Sequence, residues 1–126
     1  MRRPLRVLLI AHGLVTVAAA VVLAVVPAAI PATVGIRLQP DGFLLAYLLA
    51  GTELAIGILS LGAVRLGDPA ALKLIIVVFV VFHLATAGLE ILHLALTGFD
   101  AVILVNIAVR LAVSAAFLLL APRTMK

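Results

Sequence analysis

The sequence predicts an all-α protein: a four-helix transmembrane bundle whose helices cross a lipid bilayer up, down, up and down. Hydrophobic residues make up 67% of the 126 residues and charged residues only 11%. A soluble domain carries roughly half apolar and about a quarter charged residues. The apolar residues also form four runs, each close to the ~20 residues that span a hydrocarbon core. We therefore expect the bilayer to be the solvent of this chain.

The four runs are expected to form a single transmembrane domain. They cover approximately residues 7–29, 42–64, 70–96 and 99–120. Pro27 and a polar loop end the first run, and Asp68 followed by Pro69 predicts the N-cap and first helical residue of the third. Gly98 separates the third run from the fourth, which ends at Pro122. Open strands are excluded because lipid offers no partner to an unpaired backbone group.

Basic residues predict the orientation, since they concentrate in cytoplasmic loops. Seven of them lie on the side that holds both termini and the second loop: Arg2, Arg3, Arg6, Arg65, Lys73, Arg123 and Lys126. Only Arg37 lies on the other side. We therefore expect a multi-pass protein with both termini in the cytoplasm. The first apolar run is too long for a signal peptide and is expected to be retained.

Six ionisable residues fall inside the predicted spans: His12, Glu53, His83, Glu90, His93 and Arg110. A charged group at the bilayer centre costs about 2.5–3.5 kcal/mol on insertion scales, so such residues usually face inward and are paired. They indicate a functional site by default. His12 is expected to make an interhelical or interfacial hydrogen bond, while Tyr47 suits an anchor at the membrane surface.

Helical spacing gives each span one polar stripe that faces a common interior. The stripes are His12 and Thr16 in the first span; Glu53, Gly57 and Ser60 in the second; His83, Thr86 and Glu90, with His93 on the flank, in the third; and Asn106, Arg110 and Ser114 in the fourth. Small residues are expected to let helix backbones approach closely. These are Gly51, Gly57, Gly62 and Gly88.

A rise of about 1.5 Å per residue separates the polar residues into two layers. Glu53, His83 and Arg110 lie near the midplane, and Glu90, His93 and Asn106 lie nearer the outer face. We expect Glu53 and Arg110 to form a buried ion pair with His83 in reach; a pair that only fixes helix register is the alternative. Glu90 then lacks a permanent cation, and it either holds a proton or pairs with a histidinium.

These groups favour proton-transfer chemistry. The leading hypothesis is a buried pocket that binds a small lipophilic molecule and acts on it by isomerisation, epoxide opening or cyclisation. The catalytic candidates are Glu53, His83, Glu90 and Arg110, and the ligand-binding candidates are His93, Asn106, Tyr47 and Thr86. Two other classes stay open: a non-enzymatic accessory or assembly subunit of a larger membrane complex, and a small proton-linked transporter. The expected partners are the lipid bilayer, the lipophilic molecule, and further copies of the chain or another membrane protein.

Other chemistries lack support in the sequence. The chain has no cysteine, which excludes disulfides and thiolate catalysis. Glu90 and His93 match one Glu-x-x-His motif of a di-iron bundle, but the chain has no second motif, and only a symmetric dimer could supply it. No metal is therefore expected, and no cofactor is expected either. The basic residues lie at the ends of apolar runs and form no stripe with aromatic residues, so nucleic acid is not an expected partner.

The order of features along the chain is distinctive. After the first span come Val34-Gly35-Ile36, Pro40-Asp41, Leu44-Leu45-Ala46-Tyr47, Ala50-Gly51-Thr52-Glu53-Leu54-Ala55-Ile56-Gly57 and the short loop from Arg65 to Asp68-Pro69. Over almost the whole chain this order resembles the DoxX-like superfamily of small four-helix bacterial membrane proteins, in particular a member family of unknown function. The resemblance implies a bacterial inner membrane. Relatives in the wider superfamily are described as oxidoreductase-associated subunits or, in animals, as assembly chaperones. Similar proteins often carry Arg and paired Gly in the second span, where this chain has Tyr47 and Gly51-Thr52-Glu53.

Overall fold

All regular structure in residues 1–121, which the computed structural model describes, is helical. The helices are α1 (Arg3–Val25), the short α2 (Ala29–Ala32), α3 (Phe43–Ala63), α4 (Pro69–Thr97) and α5 (Ala101–Leu120), with one 3-10 turn at Pro40–Gly42 before α3. The predicted all-α class is therefore confirmed for this part of the chain. Pro122, Arg123 and Lys126, used above for the end of the fourth span and for the orientation, lie outside it.

Four of these helical segments are long and apolar enough to cross a membrane. They are Arg3–Val25, Pro40–Ala63, Pro69–Thr97 and Ala101–Leu120. Large apolar side chains such as Val15, Leu89 and Leu119 remain exposed along them, as expected where lipid takes the place of water. The four apolar helices indicate a multi-pass membrane protein, in agreement with the prediction.

The first helix begins and ends four residues earlier than predicted, at Arg3 and Val25. It begins early because Pro4 fits the first turn, where a missing N–H leaves no hydrogen bond unmade. It ends early because Pro27 disfavours the helical conformation in the residue before it. Val26 still donates to the carbonyl of Val22 at 2.8 Å, and the chain then turns into α2.

Side-chain caps and a glycine define both ends of α4 and the start of α5. The Asp68 carboxylate accepts from Ala70 N at 2.9 Å and from Ala71 N at 3.3 Å, which confirms the predicted N-cap. Asp100 caps α5 in the same way, with one oxygen 2.8 and 3.0 Å from the first two N–H groups it reaches; this cap was not predicted. Gly98 ends α4 with φ of 101°, a conformation that favours glycine.

Residues 9–64 form one of two compact units, and within it α1 and α3 approach closely at two glycines. A Cβ on Gly57 would lie 2.6 Å from Val17 Cγ2, and one on Gly13 would lie 2.7 Å from Leu61 Cγ. The close approach predicted at Gly57 is confirmed, whereas Gly13 was not predicted. Further along the same pair of helices, Leu23, Ala46 and Ala50 form a buried apolar cluster against which Leu38 packs.

The other three glycines singled out from the sequence do not make such contacts. A Cβ added to Gly51, Gly62 or Gly88 would meet no described atom within 4 Å. The prediction of close backbone approach at these positions is therefore wrong. Helical spacing shows which residues share a face, but a small residue on an exposed face simply leaves space there.

Residues 1–8, together with residues 65–121, form the second compact unit, which contains α4 and α5. The two helices pack side by side. Phe79 and Phe117, both fully buried, contact each other with ring centroids 5.4 Å apart, and Glu90 contacts Asn106 and Arg110. Phe79, early in α4, contacts Phe117, late in α5, whereas Glu90, late in α4, contacts Asn106, early in α5. The two helices are therefore antiparallel.

Candidate functional site

The most polar contact between α4 and α5 is centred on the carboxylate of Glu90. Asn106 Nδ2 donates to Glu90 Oε1 at 2.6 Å, and Arg110 Nε donates to the same oxygen at 3.2 Å. Asn106 and Arg110 are four residues apart on α5, so their side chains lie one turn apart on one face. The side chains of Glu90 and Arg110 are mostly buried, with only 19% and 18% of their surface exposed. We call these three residues the Glu90 cluster.

Two buried polar atoms near the Glu90 cluster, Glu90 Oε2 and Ser114 Oγ, have no hydrogen-bond partner among the described residues. One is Glu90 Oε2, the carboxylate oxygen that neither Asn106 nor Arg110 contacts. The other is Ser114 Oγ, one turn beyond Arg110 on α5, in a residue that is only 3% exposed. Native proteins satisfy nearly all buried polar atoms, so each exception calls for an explanation such as a missing water or ligand.

The pairing of Glu90 corrects one sequence-based expectation. Glu90 was expected to lack a permanent cation, but the guanidinium of Arg110 supplies one. The rise of the helix backbone puts the Cα atom of Arg110 one layer below that of Glu90, and so it did not indicate their contact. A long, flexible side chain reaches a neighbouring layer. The predicted grouping of Glu90 with Asn106 is confirmed, and the predicted ion pair of Glu53 with Arg110 stays a prediction.

Two further candidates on α4, His83 and Thr86, have buried or half-buried side chains. His83 is 8% exposed, and its ring meets that of Phe82 edge-on with centroids 5.3 Å apart. Thr86 is half-buried, and its hydroxyl donates to the carbonyl of Phe82 at 2.8 Å. This intrahelical bond satisfies the threonine hydroxyl without a ligand.

The remaining candidates lie on more open surfaces. His93, one turn beyond Glu90, is exposed, and Glu53 on α3 is half-buried. Tyr47 is 47% exposed and packs edge-on against Phe43, with ring centroids 6.4 Å apart. Tyr47 also borders an apolar cleft of about 260 Å³ between α1 and α3. The small residues Ala20, Ala24, Ala50 and Gly51 contribute to the walls of this cleft.

A separate polar contact joins α1 to α3 within residues 9–64. Ser60, which is fully buried, donates its hydroxyl to the carbonyl of Leu9 at 2.9 Å. Its oxygen lies 3.0 Å from His12 Nδ1. Because the single hydroxyl hydrogen goes to Leu9, His12 Nδ1 must donate to Ser60, so neutral His12 carries its proton on Nδ1. The interhelical hydrogen bond expected of His12 is confirmed.

This hydrogen-bond direction has a chemical consequence. A serine nucleophile needs a base that accepts its proton, but the Ser60 hydroxyl donates to a carbonyl and accepts from the histidine. Ser60 and His12 therefore join two helices in this structure and do not form a nucleophile–base pair. Sequence reasoning placed Ser60 on a polar stripe but did not pair it with His12, since the two are 48 residues apart.

Taken by residue type, the Glu90 cluster suits a neutral polar ligand. A carboxylate can accept a hydrogen bond or a proton, and a guanidinium can donate hydrogen bonds to an oxygen atom. A carboxamide can both donate and accept hydrogen bonds. Within residues 1–121, no group of three or more His, Asp or Glu side chains is placed to hold a metal ion. The cluster brings together Glu90, Asn106 and Arg110, three of the eight residues singled out from the sequence.

Comparison with known proteins adds no assignment to this geometry: no protein-family model, no curated protein and no solved structure matches the chain.

Proposed function

We propose that the chain is a multi-pass membrane protein that binds a small lipophilic molecule at the Glu90 cluster. The observation that carries the proposal is Glu90 Oε2, a buried carboxylate oxygen beside an Arg and an Asn that has no hydrogen-bond partner within residues 1–121. Ionisable residues inside apolar helices are costly and usually serve a function. An ion pair that only joined two helices would be expected to satisfy both carboxylate oxygens.

The chemistry within reach of this site is proton transfer. Glu90 Oε2 is the atom that would take a proton from a bound molecule, and the fixed positive charge of Arg110 would stabilise negative charge that develops on an oxygen. This pairing suits isomerisation, epoxide opening or cyclisation of the ligand. In this proposal His83, Thr86 and His93, on the same helix as Glu90, contribute to the binding region, and Glu53 and Tyr47 on α3 stay candidates for the same function.

The proposal includes a four-helix bundle of DoxX-like type in a bacterial inner membrane, with both termini in the cytoplasm. Since the chain has no cysteine, single cysteines can be introduced one at a time and their labelling from each side of intact cells compared. Cysteine in place of Thr33 should react with an impermeant maleimide from outside, and cysteine in place of Gly67 should react only after permeabilisation. The reverse pattern would refute the proposed orientation.

The binding function is tested by native mass spectrometry of the protein purified from its membrane. The wild type should retain a lipophilic molecule that Glu90→Gln loses, because the amide replaces one carboxylate oxygen with a hydrogen-bond donor. Asp100→Asn is the matched control: it also removes one carboxylate, but Asn caps a helix about as well as Asp. Equal retention by all three proteins, or none by any, would refute the proposal. Loss of a protein partner in Glu90→Gln would favour the accessory-subunit class instead.

A further inference from the structure

The unused hydrogen-bonding groups of the Glu90 cluster restrict the ligand chemistry, and this inference rests on the proposed binding function. Glu90 Oε2 can only accept, and it is buried without a partner among the described residues. Arg110 has five N–H donors, and its Nε donates to Glu90 Oε1 at 3.2 Å. The cluster therefore places one acceptor without a partner among the described residues next to a guanidinium that carries further N–H donors.

The charge of the cluster restricts the ligand further. The charges of one carboxylate and one guanidinium cancel, so the cluster needs no counter-ion. A carboxylate or an alkylammonium would add an uncompensated net charge to this cluster, and an uncompensated charge in an apolar surrounding is costly. A ligand with only acceptor atoms, such as an ether or a ketone, would leave Glu90 Oε2 unpaired, and an unpaired buried acceptor is costly.

A hydroxyl group meets both requirements with a single oxygen atom. Its hydrogen can go to Glu90 Oε2 while its oxygen accepts from a terminal nitrogen of Arg110. Oε2 shares its carboxyl carbon with Oε1, which lies 3.2 Å from Arg110 Nε, so the acceptor and the donor belong to adjoining groups. We infer that the ligand is a neutral lipophilic hydroxyl compound, an alcohol or phenol, held by Glu90 as acceptor and Arg110 as donor.

Ser114 gives independent support for this polarity. Its hydroxyl lies on the Arg110 face of α5, it is more than nine-tenths buried, and it has no partner among the described residues. A serine in a helix usually donates to the carbonyl one turn earlier, and Ser114 does not. The polar lining therefore continues one turn past Arg110 and offers both a donor and an acceptor to a bound molecule or to its water.

The test uses chain-matched probes on the purified full-length protein in detergent micelles. 1-Dodecanol and dodecyl methyl ether have the same alkyl chain, but in the ether a methyl group replaces the hydroxyl hydrogen. Dodecanoate is the probe with a carboxylate head group. Native mass spectrometry over a concentration series gives an apparent Kd for each probe. We expect 1-dodecanol to bind at least about tenfold tighter than the ether or dodecanoate, the effect of leaving one buried acceptor unpaired.

Glu90→Gln supplies the decisive comparison. The glutamine carbonyl must take the place of Oε1, which accepts from Asn106 and Arg110, so its NH₂ takes the place of Oε2. An acceptor becomes a donor, and the preference for the alcohol over the ether should disappear or reverse. Asp100→Asn should keep the wild-type preference. Circular dichroism of each variant confirms that the helices are retained.

Three results would overturn the inference. Equal binding of alcohol and ether by the wild type would reject the hydroxyl class and leave the proposed binding function standing. An alcohol preference that survives in Glu90→Gln would place the recognition elsewhere. Absence of binding by all three probes would also reject the hydroxyl class, while the retention of a native molecule in the experiment above decides the binding function separately.

Discussion

Gly57→Ala tests whether α1 and α3 are held together by backbone contact. The added Cβ would lie 2.6 Å from Val17 Cγ2, roughly 1 Å short of the separation that two carbon atoms prefer. The valine side chain can turn away, but Val17 N at 3.0 Å and Gly13 O at 3.1 Å belong to the backbone of α1. One helix must therefore move, and overpacking of this kind costs about 1–3 kcal/mol.

The same movement should weaken the hydrogen bond one turn further along α3. Ser60 lies three residues after Gly57, and its oxygen is 3.0 Å from His12 Nδ1. Separation of the helices by several tenths of an ångström would stretch that bond towards the limit of hydrogen-bond geometry. The imidazole ¹⁵N resonances of His12 should then move towards those of a histidine without a fixed tautomer.

The assay is unfolding of the purified protein in mixed micelles as the mole fraction of sodium dodecyl sulfate rises, followed by circular dichroism. Gly62→Ala on the same helix is the matched control, because its Cβ would meet nothing within 4 Å. That variant should be neutral or more stable, since Ala exceeds Gly in helix propensity by up to about 1 kcal/mol. Equal stability of the two variants would refute the close packing described for α1 and α3.

Substitutions at Ser60, Asp100 and Gly98, with controls, can be followed in the same unfolding assay. Ser60→Ala should cost about 1–3 kcal/mol, because the N–H of His12 loses its buried partner, whereas Thr52→Ala, whose hydroxyl bonds within its own helix, should stay within about 0.5 kcal/mol of the wild type. Asp100→Ala should cost about 1 kcal/mol through loss of the cap, and Asp100→Asn should restore it. Gly98→Ala should cost about 1–3 kcal/mol, since φ of 101° is strained for any side chain; a neutral result would count against that geometry.

The fold class followed from the sequence because it depends on composition and on the length of apolar runs. Local signals such as Asp68 before Pro69 also placed a helix start correctly, since a cap needs only neighbouring residues. Glu90 and Asn106 were grouped correctly because only a short loop joins their helices. Shared depth then implies contact.

Long-range pairing was harder to predict. Neither Ser60 nor Leu9 shows in its own neighbourhood that it bonds to the other helix, because one partner is a backbone carbonyl. Gly13 was overlooked and Gly62 overvalued for a related reason: a glycine matters only if another backbone passes close to it. The sequence did not show that Arg110 is the cation next to Glu90, because the long side chain of Arg110 reaches beyond the layer of its own Cα atom.

The ion pair between α4 and α5 also has a consequence for biosynthesis. An arginine near the centre of a helix costs about 2.5–3.5 kcal/mol when that helix enters the membrane alone. Glu90 is synthesised before Arg110 and lies on the helix that pairs with α5. If α4 and α5 leave the translocon together as a hairpin, the two charges are already neutralised when they reach lipid. Insertion of α5 then depends on Glu90, so a substitution there can change how many copies of the chain reach the membrane, independently of the binding proposed above.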